Sequence, residues 1–268
     1  MKLSVHRNTV GALFLILAAI PVCASEDANA ILQRFVAAQQ KNWKLASQYT
    51  YVEQADYFGF DKNGQPKKNR SETNEVIFLE GATYKRLIAR NESPLAPKEA
   101  AKEEKKMQQT AAERRQQRKS GIFHKEVTMG SDADLLTLFD NRVLGEESVN
   151  GRKAWVVECS PKAGYTPANE REKEAVSFSR KLWIDEVENV SLKSVHTVVG
   201  PHIVLMPGTT VSWEYEKISG DAWLMASQVI EGHLQFAKII KPHVRTEYSY
   251  TKYQKFDVQS SITTGEPK

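Results

Sequence analysis

The chain has 268 residues, with 37 lysines and arginines against 33 aspartates and glutamates, a formal net charge of +4 and 41% hydrophobic residues. A charge so nearly balanced does not supply the basic surface that nucleic acid demands. The length allows one large domain or two small ones, and beyond the N-terminus no apolar run is long enough for a membrane-spanning helix.

The N-terminus reads "MKLSVHRNTVGALFLILAAIPVCASEDANA". Lys2, His6 and Arg7 form a charged front, Val10 to Ile20 an apolar core, and Val22, Cys23 and Ala24 a small-residue exit, the layout of a cleaved secretory signal peptide over residues 1–24. Its apolar core is too short for an ordinary span. Cleavage near Ala24 leaves a single domain over 25–268, with 35 basic and 33 acidic residues, in the periplasm. Lipid anchoring at Cys23 is the weaker alternative, because Pro21 and Val22 stand where a lipoprotein signal carries small residues. Either outcome leaves Cys159 without a disulfide partner. It alternates in phase with Trp155 and Val157 and reads as a small core residue, not a nucleophile.

After the leader, Asp27 is a candidate N-cap for a helix over 28–41, with Ala28, Ile31, Leu32, Phe35, Val36 and Ala38 on one face. The period then changes to two: "QYTYVEQADYFGF" is a half-buried strand, and Asn63-Gly64 marks a turn. "SETNEVIFLE" and "GATYKRLIAR" are strands joined at Gly81. Pro94 and Pro97 break the pattern. From 98 to 119 the chain holds eight basic and four acidic residues and good helix formers, with a thin stripe of Ala100, Ala101, Met107, Ala111 and Ala112. This predicts a charged helical excursion at about 95–120 that leans on a domain edge and is otherwise solvated. The alternative, a basic arm meeting anionic lipid through Arg114, Arg115, Arg118 and Lys119, lacks the bulky apolar face such a helix requires.

"SDADLLTLFDN" predicts a short helix capped by Ser131 or Asp132, with Leu135, Leu136 and Phe139 on one side. A hairpin turning at Asn150-Gly151 follows, then a polar connection over 161–179 with helical leanings after Pro167. "RKLWIDEVENVSLKSVHTVVG" reads strand, turn, strand, and three more strands complete the chain before a frayed tail. The sum is an α+β fold. A single large curled antiparallel sheet of nine to eleven strands, an incomplete barrel, carries an N-terminal helix and two or three inserted helices on or near its concave side.

Asp185, Glu186, Glu188 and Asn189 crowd one bend. Short acids and amides at a bend bond the neighbouring backbone, and neighbours on a strand point to opposite faces, so the group reads as turn chemistry and no catalytic residue is assigned. The histidines, His124, His196, His202, His233 and His243, lack close metal-ligand spacing, and no metal or other cofactor is expected. No nucleophile elbow, phosphate loop or dinucleotide fingerprint occurs.

Aromatic strand faces are abundant. Tyr49, Tyr51 and Tyr57 share one, Trp213 and Tyr215 another, Tyr248 and Tyr250 a third. They are either sheet core or the lining of an apolar hollow inside the curl. On the second reading the expected lining is Tyr49, Tyr51, Phe78, Trp155 and Val157, with Trp183, Trp213, Tyr215, Tyr248 and Tyr250.

The order of leader, amphipathic helix, long first hairpin "YTYVEQADYFGFDKNGQPKKN" and "KLWIDEVENVSLKSV" resembles the LolA/LolB-like periplasmic lipoprotein-carrier superfamily over roughly residues 28 to 257. The matching motif is Leu182, Trp183, Ile184 and Asp185, then Leu192 and Lys193. The resemblance implies an incomplete barrel wrapped on helices, with an apolar cavity for a lipid or lipoprotein acyl chains and transient contact with a membrane surface or envelope protein. Two readings remain beside this non-enzymatic one: a structural or regulatory envelope protein whose 98–119 helix meets a partner, and a motif-poor hydrolase.

Overall fold

The N-terminal apolar spacing does form a helix. In the computed structural model, which describes residues 26–120, 132–218, 220, 222–235 and 242–256, α1 runs Ala28–Ala46. The Asp27 side chain accepts from the Asn29 N–H, and Ala28, Ile31, Leu32, Phe35 and Val36 are buried along one side. The helix passes the expected residue 41 because Leu45 and Ala46 also find a surface, packing on Tyr49, Ala222 and Leu224. The leader with Cys23, His124 and Ser131 lie outside the described residues.

Eleven strands make one sheet. β1 (Tyr49–Phe60), β2 (Pro66–Leu79), β3 (Ala82–Arg90) and β4 (Ser93–Pro94) form a first meander. β5 (Phe139–Val149), β6 (Arg152–Pro161), β7 (Phe178–Asp185), β8 (Ser191–Val198), β9 (Thr210–Ile218), β10 (Ala222–His233) and β11 (His243–Lys255) form a second. The order β4-β3-β2-β1-β11-β10-β9-β8-β7-β6-β5 joins the two through antiparallel pairing of β1 with β11. β4 and β5 are free edges, so the curled sheet is an incomplete barrel. Two hairpins close on two-residue turns with both central residues left-handed: Glu80 (φ 49) and Gly81 (φ 83), and Asn150 (φ 50) and Gly151 (φ 78).

Register defines two faces. The inner face carries Phe139, Val157, Cys159, Leu182 and Ile184 on β5 to β7, in one cluster with α1 and the short α3 (Asp134–Thr137). α3 starts from Ala133 without a side-chain cap, so Asp132 does not cap it, and Phe139 opens β5 instead of extending the helix. Where β11 stops pairing with β10, the Asn42 side chain on α1 takes over, accepting from the Trp223 N–H and donating to its carbonyl, each at 2.8 Å. α4 (Glu170–Ala175) starts with a reciprocal cap between Asn169 and Glu172.

α2 (Pro97–Lys119) lies on the outer face, against β3. Met107 and Ala111 are its buried residues, as a thin stripe allows. Its basic half is largely exposed yet tied to the sheet. Arg114 donates to the carbonyls of Leu79, Ala82 and Thr83 at 2.9, 3.1 and 3.0 Å, Arg115 reaches Glu80 at 2.9 Å, and Arg118 donates to the Glu80 carbonyl. The helix therefore leans on the domain edge and is otherwise solvated, as expected, with its arginines clamping the β2–β3 turn in place of a lipid-facing arm.

Candidate functional site

The acid-rich bend between β7 and β8 is a clasp. Asp185, 1% exposed, accepts from the Val187 and Glu188 N–H groups at 3.0 and 2.6 Å and from Arg152 Nε at 2.7 Å. Burial works against its ionisation, but Arg152 and the two amides outweigh it and hold the carboxyl below the usual range. Glu188 accepts from Arg152, Lys217 and Trp223 Nε1 at 2.8, 2.8 and 3.0 Å, and the Lys217 bond followed by the Trp223 bond lowers its pKa. Asn189 accepts from Arg34 of α1. The clasp ties β6, β9, β10 and α1 to one turn, and the carboxylate oxygens of Asp185 and Glu188 face donors of the same chain, whereas Glu186 Oε1 is buried without a hydrogen bond.

The residues expected to line a hollow separate into three groups. Trp155 and Val157 belong to the packed cluster with α1, and Tyr49 is buried among Leu45, Ala46 and Leu224. Trp183 faces outward in register with Val156 and Lys193, its Nε1 donating to Glu147 at 2.7 Å and its ring flanked by Lys181 and Lys193 at 4.7 and 5.1 Å. Tyr51, Phe78, Trp213, Tyr215, Tyr248 and Tyr250 share the inner face.

The middle of that face has a regular make-up. Cross-strand pairs give one row, Arg180, His196, Val211, Ile230, Thr246 and Tyr57, running from β7 to β1. Beside it runs a second, Leu182, Ser194, Trp213, Gln228, Tyr248 and Ala55. Among the described residues the principal helix contacts with the sheet fall on β5, β10 and β3, with Asn42 of α1 meeting β10 at Trp223 and Leu182 at the β7 end packed in the α1 cluster. Val211 is buried, and Trp213, Ile230 and Tyr248 are partly buried.

Several polar groups on this face are anchored. The Tyr250 hydroxyl donates to Gln228 at 2.9 Å and Tyr253 to the Met225 carbonyl at 2.6 Å, while the Tyr51 ring lies 5.7 and 5.3 Å from theirs. Buried Glu53 accepts from Lys85 with both oxygens at 2.7 Å and from Asn74. Burial pushes the Tyr215 and Tyr248 hydroxyls up to about 12, and raises Tyr250 and Tyr253 further. Burial, aided by Arg180, drives His196 down to about 3, so its imidazole is neutral at physiological pH. Cys159 is fully buried and its thiol is pushed up to about 12, as a core cysteine requires.

The outer face is different. A depression of about 410 Å³ is bordered by Gln54, Asp56, Ser212, Glu214, Arg245 and Glu247. Its charges are paired, Arg245 with Glu231 and Glu247 at 2.6 Å each and Asp56 with Lys68 at 3.0 Å. Such a surface does not suit hydrocarbon. His233 and His243 stack at 4.8 Å, with Phe60 on the latter at 3.8 Å. Among the described residues no three His, Cys, Asp or Glu side chains gather to hold a metal.

One inner-face residue escaped the sequence reading. Arg180 is not among the residues singled out from the sequence, although its alternation in phase with Leu182 and Ile184 is a signal for the inner face.

The architecture is that of an open, curled antiparallel sheet with an amphipathic N-terminal helix on its inner face, and it resembles LolA-superfamily structures. A domain described as an outer membrane lipoprotein-sorting protein, from Vibrio parahaemolyticus, matches over 88% of this chain and 96% of its own, at 12% identity and a TM-score of 0.43. A LolA superfamily protein from Nitrosomonas europaea matches over 86% and 94%, at 8% identity and a TM-score of 0.32. The complex of MucA and MucB from Pseudomonas aeruginosa contains a chain matched over 87% and 100%, at 13% identity and a TM-score of 0.27. No family model matches the chain, and no curated protein sequence does.

Proposed function

We propose that this is an exported, periplasmic, non-enzymatic protein that holds a lipid or the acyl chains of a lipoprotein on the inner face of its sheet. The observation that carries the reading is the pair of inner-face rows, in which Val211, Trp213, Ile230 and Tyr248 stand beside one another on one face of the sheet, all but Val211 keeping some exposed surface. Each buried methylene contributes about 0.8 kcal/mol, so a chain of about fourteen carbons gives on the order of 10 kcal/mol before ordering costs. No directed chemistry is needed, in keeping with a clasp whose Asp185 and Glu188 are engaged in structural bonds.

A brominated fatty acid tests this directly, because bromine quenches tryptophan only at contact. Quenching should be saturable and should disappear in Trp213→Phe while the other tryptophans stay bright. Unquenched fluorescence, together with native mass spectra free of lipid in protein taken from the cell envelope, would refute the reading.

A second reading, a structural or regulatory envelope protein acting through a protein partner, is favoured by the loop between β8 and β9, where Val199, Ile203 and Val204 are exposed, Ile203 to 87%. α2 serves it less well, since its arginines hold the β2–β3 turn. Ile203→Asp separates the two readings: fatty-acid uptake survives it under the first, whereas a co-purifying partner is lost under the second.

A further inference from the structure

Arg180 is a cation placed where hydrocarbon is expected. Its phase on β7 sends it to the inner face, and its guanidinium lies over the Phe139 ring, 4.9 Å from the centroid. Nε is buried and makes no hydrogen bond. The side chain as a whole is part-buried, and burial lowers its pKa.

Among the described residues no carboxylate forms an ion pair with Arg180. Asp132 and Asp134 contribute a favourable field from a distance, and Asp134 is itself bonded to Arg171. Cys159 nearby keeps its proton, and neutral His196 stands opposite on β8, with Trp213 and Phe178 at 4.7 and 6.3 Å from its ring. The contrast with other charges is clear. Inward Glu53 has Lys85, and Arg152 has both Asp185 and Glu188. A buried charge left without a partner is costly, and removing it in favour of a well-packed apolar residue generally stabilises a fold.

We propose that Arg180 receives the anionic head, a carboxylate or phosphate, of an amphiphile whose hydrocarbon lies along His196, Val211 and Ile230 toward Tyr57. The inference rests on the inner face being the lipid site and adds a direction to it. The head sits at β7, and an extended sixteen-carbon tail of about 19 Å crosses four strand intervals of about 4.8 Å, to β11. A guanidinium suits this role because its planar fork meets two oxygens at once, and the neutral His196 ring can offer a further donor.

Competition against the brominated probe tests it with palmitate, with hexadecanol, and with acetate or inorganic phosphate lacking a chain. Wild-type protein should prefer palmitate to hexadecanol by about tenfold, as a charge-assisted bond gives. Arg180→Met should bring that ratio near one without weakening hexadecanol, Arg180→Lys should keep part of it, and the chainless anions should not compete. Delipidated Arg180→Met should melt higher than wild type. Equal binding of palmitate and hexadecanol by wild type, or an unchanged ratio in Arg180→Met, overturns the inference and leaves the lipid site standing. Competition by free phosphate as effective as by palmitate overturns the lipid-head assignment. A lower melting temperature for Arg180→Met assigns the residue to the fold and overturns the proposal. If neither long-chain compound binds wild type, the lipid reading falls and this inference with it.

Discussion

The two halves of the inner face are built from different residues and stand in different states. On β5 to β7 it is mostly apolar and packed, and Val157 and Ile184 lose essentially all contact with solvent against Ile31 and Leu32 of α1. From β8 to β1 it is aromatic and amphipathic, with Trp213, Tyr248 and Tyr250 interleaved with Gln228, Thr246 and His196. Aliphatic side chains hold position only by close packing, whereas tyrosines can be held by one hydroxyl bond while their rings stay available to another surface. On the proposed reading the first half makes the fold, and the second supplies the surface that takes the ligand.

The largest effect should come from the packed half. Leu32→Ala leaves a cavity under α1 and should cost about 3–5 kcal/mol in urea unfolding, with little influence on fatty-acid affinity among molecules that remain folded. Trp213→Ala in the second half should cost less than half as much stability and nearly all of the affinity. Equal stability losses at the two sites would mean that the second half is packed core too, and the contrast would vanish.

Much of this architecture could be read in the chain itself, for local reasons. Asn150-Gly151 and the Gly81 turn fix two hairpins by backbone chirality, and the Pro97 start and thin alanine stripe place α2 almost to the residue. The joining of β1 to β11 was not legible, since pairing Tyr49 with Lys255 is a long-range event that no neighbouring residue encodes. Nor did alternation reveal which face is inner. Trp183 and Ile184 are adjacent and equally apolar, and only packing against α1 decides that Ile184 goes inside while Trp183 sits between two lysines. Irregular pairing at Trp183/Ile184 and Met225/Ser227 further breaks the simple period of two. The same alternation carries Arg180 inward with Leu182 and Ile184.

The Asp185 clasp connects the halves, reaching Arg152 at the start of β6 and, through Glu188, Lys217 on β9 and Trp223 on β10. Asp185→Asn leaves Arg152 and the turn amides poorly matched and should cost about 2–3 kcal/mol near neutral pH. Because the folded pKa of Asp185 is lowered, its stabilisation is fully present above its unfolded value of about 3.9 and is lost as pH falls through the folded one. Wild type should therefore lose its advantage over Asp185→Asn below about pH 4. A difference that persists at pH 2 would assign the effect to geometry instead of charge.

The smallest effect is the sharpest test of how open the second half is. Tyr250→Phe removes the hydroxyl that donates to Gln228 and leaves that amide oxygen without its donor. In a sealed core an unsatisfied acceptor costs about 1–3 kcal/mol, but beside a hollow that admits water the loss should fall below about 1 kcal/mol, because solvent replaces the missing proton. Bound hydrocarbon would expel that water. The penalty in thermal melts should therefore grow when saturating fatty acid is added, although the ring that meets the chain is unchanged. A penalty that is the same with and without ligand would place Tyr250 away from the bound chain and confine the apolar site to β8, β9 and β10.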